Sequence, residues 1–185
     1  IDINLRVKQF GVLESAQEKV LDLTNWHDFL GCLQTAGYRS RRTISSDNAL
    51  LFSYAMWLIG RFDFDLDNQS LRPVIARWFF MAHTTGRYTS SAETQLESDL
   101  GRIADLPKGD GNAFVHELDR IVMANFTNDY WEITLPNRLD TSSPRSPALF
   151  AYLAAQNLLD AEALFSDRRI RDLLDPQTSA SRSIE

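Results

Sequence analysis

Apolar residues recur at helical spacing along most of the chain. The clearest case lies between Leu71 and Ala82, where apolar side chains fall at i, i+3, i+4, i+7, i+8 and i+11. This spacing is typical of one face of an α-helix. Phe80 and Met81 widen the apolar face, so we expect a helix that is covered on two sides. The six residues that form the face are Leu71, Val74, Ile75, Trp78, Phe79 and Ala82.

The segment from Asn48 to Ile59 is apolar on nearly every side, which predicts a central helix. Ser45 or Ser46 can cap its start, and Gly60 is expected to end it. Pro73 is compatible with the next helix if it lies in the first turn, where backbone N–H groups lack a helical partner.

Other segments combine helical periodicity with start and stop signals. Thr24-Asn25 and Ser90, with Glu93 three residues later, are candidate N-caps, and Gly37 is a candidate stop. Ser146-Pro147 is expected to start a late helix. The further predicted helices cover residues 15–22, 26–36, 91–103, 114–126, 148–159 and 167–174.

These elements predict an all-α protein, a compact bundle of about seven to eight helices. Residues 128–136 are ambiguous. Trp131, Ile133 and Leu135 alternate as in a strand, although a short helix fits equally well. We therefore expect a short irregular or extended segment near 128–136 as the one alternative to helix.

A chain of 185 residues is long enough for one domain with a substantial core. We predict a single helical domain over residues 1–176, with the Ser/Pro-rich linker 141–147 as a candidate sub-boundary. Residues 177–185 are predicted to be an exposed tail that leads to a missing C-terminal domain. The chain begins at Ile1 and ends in SRSIE, so both ends look cut and we expect a piece of a longer protein.

Composition narrows the class of protein. The net charge is −6 and the isoelectric point is near 5.1, which disfavours strong nonspecific DNA binding by the whole surface but permits a local basic patch. The single cysteine, Cys32, excludes an internal disulfide and a cysteine-based zinc site. No apolar run reaches the roughly 18 to 20 residues of a membrane span. We expect a cytoplasmic protein without a membrane partner.

Two sequence motifs resemble known sites but lack essential positions. The acidic segment DFDLDNQSLRPV has Asn68 and Val74 where a calcium hand needs Gly and Glu. The run HELDR, from His116, lacks the second histidine of a zinc protease. No glycine-rich loop ends in the Lys-Ser/Thr pair of a phosphate-binding loop. We therefore predict no metal site and no catalytic residue.

Arg39, Arg41 and Arg42 form the best local candidate for an anion site. Their functional interpretation is contact with nucleic-acid phosphates. A charge run more often only faces water, and a solvated loop is the preferred interpretation.

A polar corner follows the helix of residues 71–82. Arg77, His83, Arg87 and Tyr88 could converge there, with Asp99 as a carboxylate partner. A catalytic site would need a nucleophile or base within hydrogen-bond reach. A structural hub would instead satisfy backbone groups left unpaired at the turn. We favour the structural polar hub.

Several segments resemble the helical part of bacterial proteins related to the GmrSD modification-dependent restriction endonucleases. The likeness rests on the runs RWFFMA, GRYTS, DL, SPALF, LFS and LLDP, which begin at Arg77, Gly86, Asp99, Ser146, Leu164 and Leu173. It extends from about Trp26 to the end of the chain.

In that family a ParB-like nucleotide-binding domain precedes the helical region and an HNH nuclease domain follows it. Neither the Asp-Gly-Gln-Gln-Arg motif of the first nor the His-His-x-Phe-Pro motif of the second is present here. The resemblance implies a non-catalytic connector domain of a nucleotide-dependent, HNH-type DNA endonuclease of bacterial defence. Nucleotide and divalent metal would belong to the parent protein, and the partners would be the flanking domains and DNA.

Two alternatives to the connector domain stay open. The chain could be a stand-alone helical enzyme or ligand-binding domain with a pocket around Arg77, His83, Arg87 and Tyr88. It could also be a protein-interaction module. Assembly into a homo-oligomer is compatible with each of these.

Overall fold

The computed structural model describes residues 3–140 and 146–173, with side chains described from residue 6 onward. Within these ranges the chain forms helices and no β-strand, which confirms the predicted all-α class. A 3₁₀ turn spans Arg41–Thr43 and a π-helical segment spans Tyr130–Thr134. The α-helices are α1 Ile3–Leu21, α2 Leu23–Thr35, α3 Asp47–Phe62, α4 Asn68–Thr85, α5 Ala92–Ala104, α6 Gly111–Asn125, α7 Leu135–Asp140, α8 Pro147–Leu158 and α9 Ile170–Leu173.

Helix α4 lies at the centre of the bundle and contacts α2, α3, α6 and α8. Its predicted apolar face is confirmed, because Leu71, Trp78 and Phe79 have no exposed surface. The helix begins earlier than expected, since the Asp67 carboxylate caps it by accepting the Ser70 N–H at 2.8 Å. Pro73 was predicted to lie in the first turn of this helix, but it lies beyond that turn.

Two predicted N-caps are wrong, and a third helix is capped by one of its two predicted candidates. Asp22, and not Thr24 or Asn25, caps α2 through the N–H of Thr24. Ser91 replaces Ser90 at the start of α5, and its side chain makes no capping bond. Ser46 caps α3 as one of the two candidates, with its hydroxyl 3.1 Å from the Ala49 nitrogen.

Gly60 does not end α3 but lies inside it, and tertiary packing explains why. A methyl group added there would lie 2.6 Å from Leu71 Cδ2 and 2.8 Å from Phe114 Cε1. The glycine thus allows α4 and α6 to approach α3 closely.

The ambiguous segment 128–136 is helical. The π-helical segment runs directly into α7, with Tyr130 buried while Trp131 and Ile133 are largely exposed. An extended conformation would have needed a partner strand, and the described part of the chain offers none. The alternation of apolar residues therefore does not indicate a strand here.

Helix α8 begins as predicted, with Ser146 as N-cap and Pro147 in the first turn. It is fastened to the end of α2, where the Asn157 Nδ2 donates to the Gly37 carbonyl oxygen at 2.7 Å. Gly37 has a positive φ of 88°, which supports its role as the stop signal of α2. Residues 141–145 of the predicted linker and the predicted tail 177–185 lie outside the described residues.

Helix α1 starts well before the predicted residue 15 and packs mainly against α2. Many of its apolar side chains remain exposed, among them Phe10 and Leu13. None of the helices that the structure describes is long and apolar enough to cross a membrane.

Candidate functional site

The corner after α4 contains a buried ion pair between Arg87 and Asp99. Gly86 adopts a left-handed conformation, with φ of 71°, and ends α4 so that the chain turns back toward α5. The Arg87 Nε lies 2.9 Å from Asp99 Oδ2, and its Nη2 lies 2.5 Å from Oδ1. The Asp99 side chain has no exposed surface. This is the two-pronged geometry that guanidinium and carboxylate groups favour.

Three further side chains complete the hydrogen-bond network. The Tyr88 hydroxyl donates to Asp99 Oδ2 at 2.8 Å, and the Gln95 amide donates to Oδ1 at 3.3 Å. Arg87 also donates to the Asn125 side chain on α6 at 3.3 Å. The network therefore joins the corner to α5 and α6, and its polar atoms satisfy one another.

Burial and charge fix the protonation of this network. Burial opposes the charge on Arg87, but the hydrogen bonds and charge of Asp99 outweigh it and hold the pKa of Arg87 above its ordinary value. Burial, together with the neighbouring Asp99 charge, raises the pKa of the Tyr88 hydroxyl. Tyr88 thus stays a hydrogen-bond donor, and the three groups are suited to holding helices together.

Arg77 and His83 do not join the other members of the predicted hub. Arg77 pairs instead with Asp119 on α6, where its Nη2 lies 2.8 Å from Oδ1 and both side chains are substantially exposed. Six residues along an α-helix correspond to about 240° of rotation, so residues 77 and 83 leave α4 on different sides. The predicted convergence at one spot is therefore wrong for these two residues.

His83 belongs to a second buried cluster. Its Nε2 accepts the backbone N–H of Ser45 at 3.0 Å, and its Nδ1 lies 3.1 Å from the Tyr38 hydroxyl. Because Nε2 accepts, the ring proton lies on Nδ1. Burial lowers the pKa of His83 to about 4, so the ring is neutral near pH 7. The ring thereby fastens both ends of the segment 38–45 to α4.

We call residues 39–42, with the flanking Tyr38 and Ser45, the basic loop. Sequence patterns could not identify its anchor, because Tyr38 and Ser45 lie 45 and 38 residues from His83 along the chain. A hydrogen bond over such a separation leaves no periodic signal. The anchor is visible only once α4 packs beside the loop.

The three arginines of the basic loop differ in their partners. Arg41 is held by the Asp47 carboxylate and by the carbonyl oxygen of Ile44. Arg39 and Arg42 are exposed, and neither guanidinium has an ion-pair partner among the residues that the structure describes. Within the described part of the chain, the loop therefore presents two guanidinium groups without an ion-pair partner and one that is oriented by Asp47.

A cavity of about 200 Å³ lies between the basic loop, α2 and the start of α3. Its floor is apolar, and its rim carries amide, hydroxyl and guanidinium groups. The floor includes Trp26, Leu30, Leu33 and Ile44, and the rim includes Gln34, Arg39, Ser40 and Arg41.

Within residues 3–140 and 146–173, no three His, Cys, Asp or Glu side chains are grouped so that they could hold a metal ion.

Comparison with protein-family models, curated proteins and solved structures gave no significant match for this chain. The resemblance to GmrSD-like proteins therefore stays a prediction.

Proposed function

We propose that this chain is a non-catalytic helical connector domain of a nucleotide-dependent, HNH-type DNA endonuclease of bacterial defence. Its own contact with DNA would be made through phosphates at Arg39, Arg41 and Arg42. The observation that supports this contact is that Arg39 and Arg42 form no ion pair with any described residue. Their loop is held against α4 by His83. A rigid loop with free cations can meet phosphates without first breaking an internal ion pair.

The contrast with the arginines at the start of α9 supports this choice. Arg169 and Arg171 both pair with Asp160, so each guanidinium already has a carboxylate partner within the fold. An anion would have to compete with that carboxylate. Arg41 meets the same competition from Asp47, but no described residue forms an ion pair with Arg39 or Arg42, so the basic loop is the better place for phosphate contact.

The connector role is supported by the buried network at the corner. Arg87, Tyr88 and Asp99 are committed to one another and tie α5 and α6 to the end of α4. A joint of this kind holds helices in a defined arrangement, as a domain that positions its neighbours requires. The alternative enzyme site needed Arg77 and His83 at the same corner, and both lie elsewhere.

Exposed apolar residues are compatible with contacts to flanking domains. On α1, Phe10 and Leu13 are largely exposed, and after α8 so are Leu164 and Phe165. Clustered apolar surface of this sort commonly marks an interaction site. We propose that the flanking nucleotide-binding and nuclease domains are the partners and that they, not this domain, bind the nucleotide and divalent metal.

Binding of a short labelled duplex, followed by fluorescence anisotropy at several salt concentrations, tests the phosphate contact. Three phosphate contacts predict a slope of log affinity against log salt of about −2 to −3. Arg39→Ala and Arg42→Ala should each weaken binding and reduce that slope by about one.

The matched control for this experiment is Arg102→Ala, because Arg102 is an exposed arginine on α5, away from the basic loop. It should leave both affinity and slope unchanged. Equal losses in Arg102→Ala and Arg39→Ala, or no binding at low salt, would reject the proposed contact.

A further inference from the structure

We propose that the cavity beside the basic loop receives one unstacked nucleotide, with its base in the cavity and its phosphate on the loop. This inference rests on the proposed phosphate contact and adds a base-binding site to it. The site combines Trp26 on α2 with Arg39 and Arg41 on the rim of the same cavity.

The floor of the cavity matches the faces of a nucleobase. The Trp26 indole packs edge-to-face on Tyr54 at 4.9 Å and tilted on Phe29 at 5.5 Å between ring centroids, which fixes its position. Leu30 and Ile44 provide further apolar surface. Bases stack on such aromatic rings with little dependence on sequence, because every base has a planar π face.

The size of the cavity limits what can enter. Sites for drug-sized ligands usually measure about 300 to 1,000 Å³, whereas this cavity has a volume of about 200 Å³. It therefore suits a single planar group and not a complete dinucleotide.

The rim supplies polar groups for the edge of a base and for its phosphate. Gln34 is exposed on α2, and its amide can both donate to and accept from a base edge. Arg41 is oriented by Asp47, while Arg39, which forms no ion pair with a described residue, can turn toward an anion. Guanidinium groups bind phosphate oxygens with good geometry.

The position of Arg42 favours a nucleic-acid strand over a small aromatic acid. Arg42 is exposed on the same loop but does not line the cavity. One carboxylate would be satisfied by Arg39 alone, whereas a strand carries further phosphates that can reach Arg42. The positive charge outside the cavity therefore points to a ligand with repeated phosphates.

Three probes test the site on the whole chain. They are a short oligothymidylate, an abasic strand of the same length, and free thymidine monophosphate as a competitor. The chain should bind oligothymidylate about five-fold or more tightly than the abasic strand, because only the former can stack. Competition by thymidine monophosphate would show that one nucleotide is sufficient for binding. If the chain prefers oligothymidylate but thymidine monophosphate does not compete, the site binds a nucleotide only as part of a strand.

Trp26→Leu should abolish the preference for oligothymidylate and leave binding of the abasic strand unchanged. Arg39→Ala should weaken binding of both strands. Trp131→Leu is the matched control, because Trp131 is a partly exposed tryptophan outside the cavity, and it should change neither affinity. If Trp26→Leu does not fold, Gln34→Leu at an exposed position should reduce oligothymidylate binding alone.

The outcomes separate this inference from the proposed function. Equal affinity of the unmodified chain for both strands would overturn the base site while the phosphate contact stands. Competition by benzoate as strong as that by the nucleotide would overturn the assignment to a nucleotide. Binding of neither strand nor duplex would reject the phosphate contact and the base site together.

Discussion

The Arg87 guanidinium and the Asp99 carboxylate form a two-pronged ion pair in the interior, with the Arg87 Nη2 2.5 Å from Asp99 Oδ1. Asp99 is fully buried, and only 9% of the Arg87 side chain is exposed. A second pair between neighbouring helices, Arg77 with Asp119, has a similar two-pronged geometry but lies at the surface. The stability contribution of an arginine–aspartate pair can therefore be compared between a buried and an exposed position.

Removing one partner of the buried pair should be costly. Asp99→Ala leaves Arg87 charged and unpaired in the interior, and we expect unfolding free energy to fall by about 3 to 5 kcal/mol. Asp119→Ala, the matched control at the surface, should cost less than about 1 kcal/mol. Urea denaturation measures both. Equal losses in the two variants would mean that the corner does not hold the fold.

Stability should fall as pH drops below neutrality because of His83. Burial lowers the pKa of His83 to about 4 in the folded chain, against about 6.5 when unfolded. The unfolded state therefore binds the extra proton first. The contribution of His83 is complete above about pH 6.5 and is lost as pH falls through about 4, by about 3 kcal/mol in total.

Urea denaturation between neutral and acidic pH, compared with His83→Gln, isolates this contribution from that of the carboxylates. The His83→Gln variant should show a shallower decline of stability toward acid. His116→Gln at an exposed site is the control and should retain the original slope. Parallel curves for all three chains would contradict the assignment.

Trp78 should be among the most sensitive core positions. Its side chain has no exposed surface, so Trp78→Ala leaves a large cavity in the face of α4 and should cost about 3 to 5 kcal/mol. Trp131 is 43% exposed, and Trp131→Ala should cost less than about 2 kcal/mol. Denaturant midpoints compare the two. A loss below about 1 kcal/mol for Trp78→Ala would place α4 at the periphery.

Gly37→Ala should loosen the contact between α2 and α8. The φ of Gly37 is positive, and an added methyl group would lie 2.3 Å from the Ala154 carbonyl oxygen. Backbone atoms cannot yield as a flexible side chain can, so we expect a loss on the order of 3 kcal/mol. Thermal unfolding measures it. Gly101→Ala is the control, because the added methyl group meets no atom of the described residues within 4 Å and α-helices favour alanine.

Periodic and capping signals predicted much of the secondary structure. The apolar face of α4, the stop at Gly37 and the start at Ser146 follow from local rules, and the structure confirms them. The same rules placed the end of α3 at Gly60, because they contain no information about the close approach of Leu71 and Phe114. In that case tertiary packing, not helix termination, explains the glycine.

The candidate sites also divide into contacts that local sequence rules can predict and contacts that depend on tertiary packing. Arg87, Tyr88 and Asp99 lie within 12 residues of one another across a single turn, and such short separations can be inferred from the chain. The partners of His83 and the cavity above Trp26 depend on contacts between distant segments.

By itself the sequence determined the helical class, the residues of the central apolar face and the position of the basic arginines, because helical periodicity and charge are local properties. Only the tertiary structure decided which polar groups meet. Arg77 and His83 lie on different sides of α4, Arg39 and Arg42 have no ion-pair partner among the described residues, and the basic loop borders a cavity. The physical reason is that a side chain's partners are set by how helices pack against one another, and no pattern of neighbouring residues contains that arrangement.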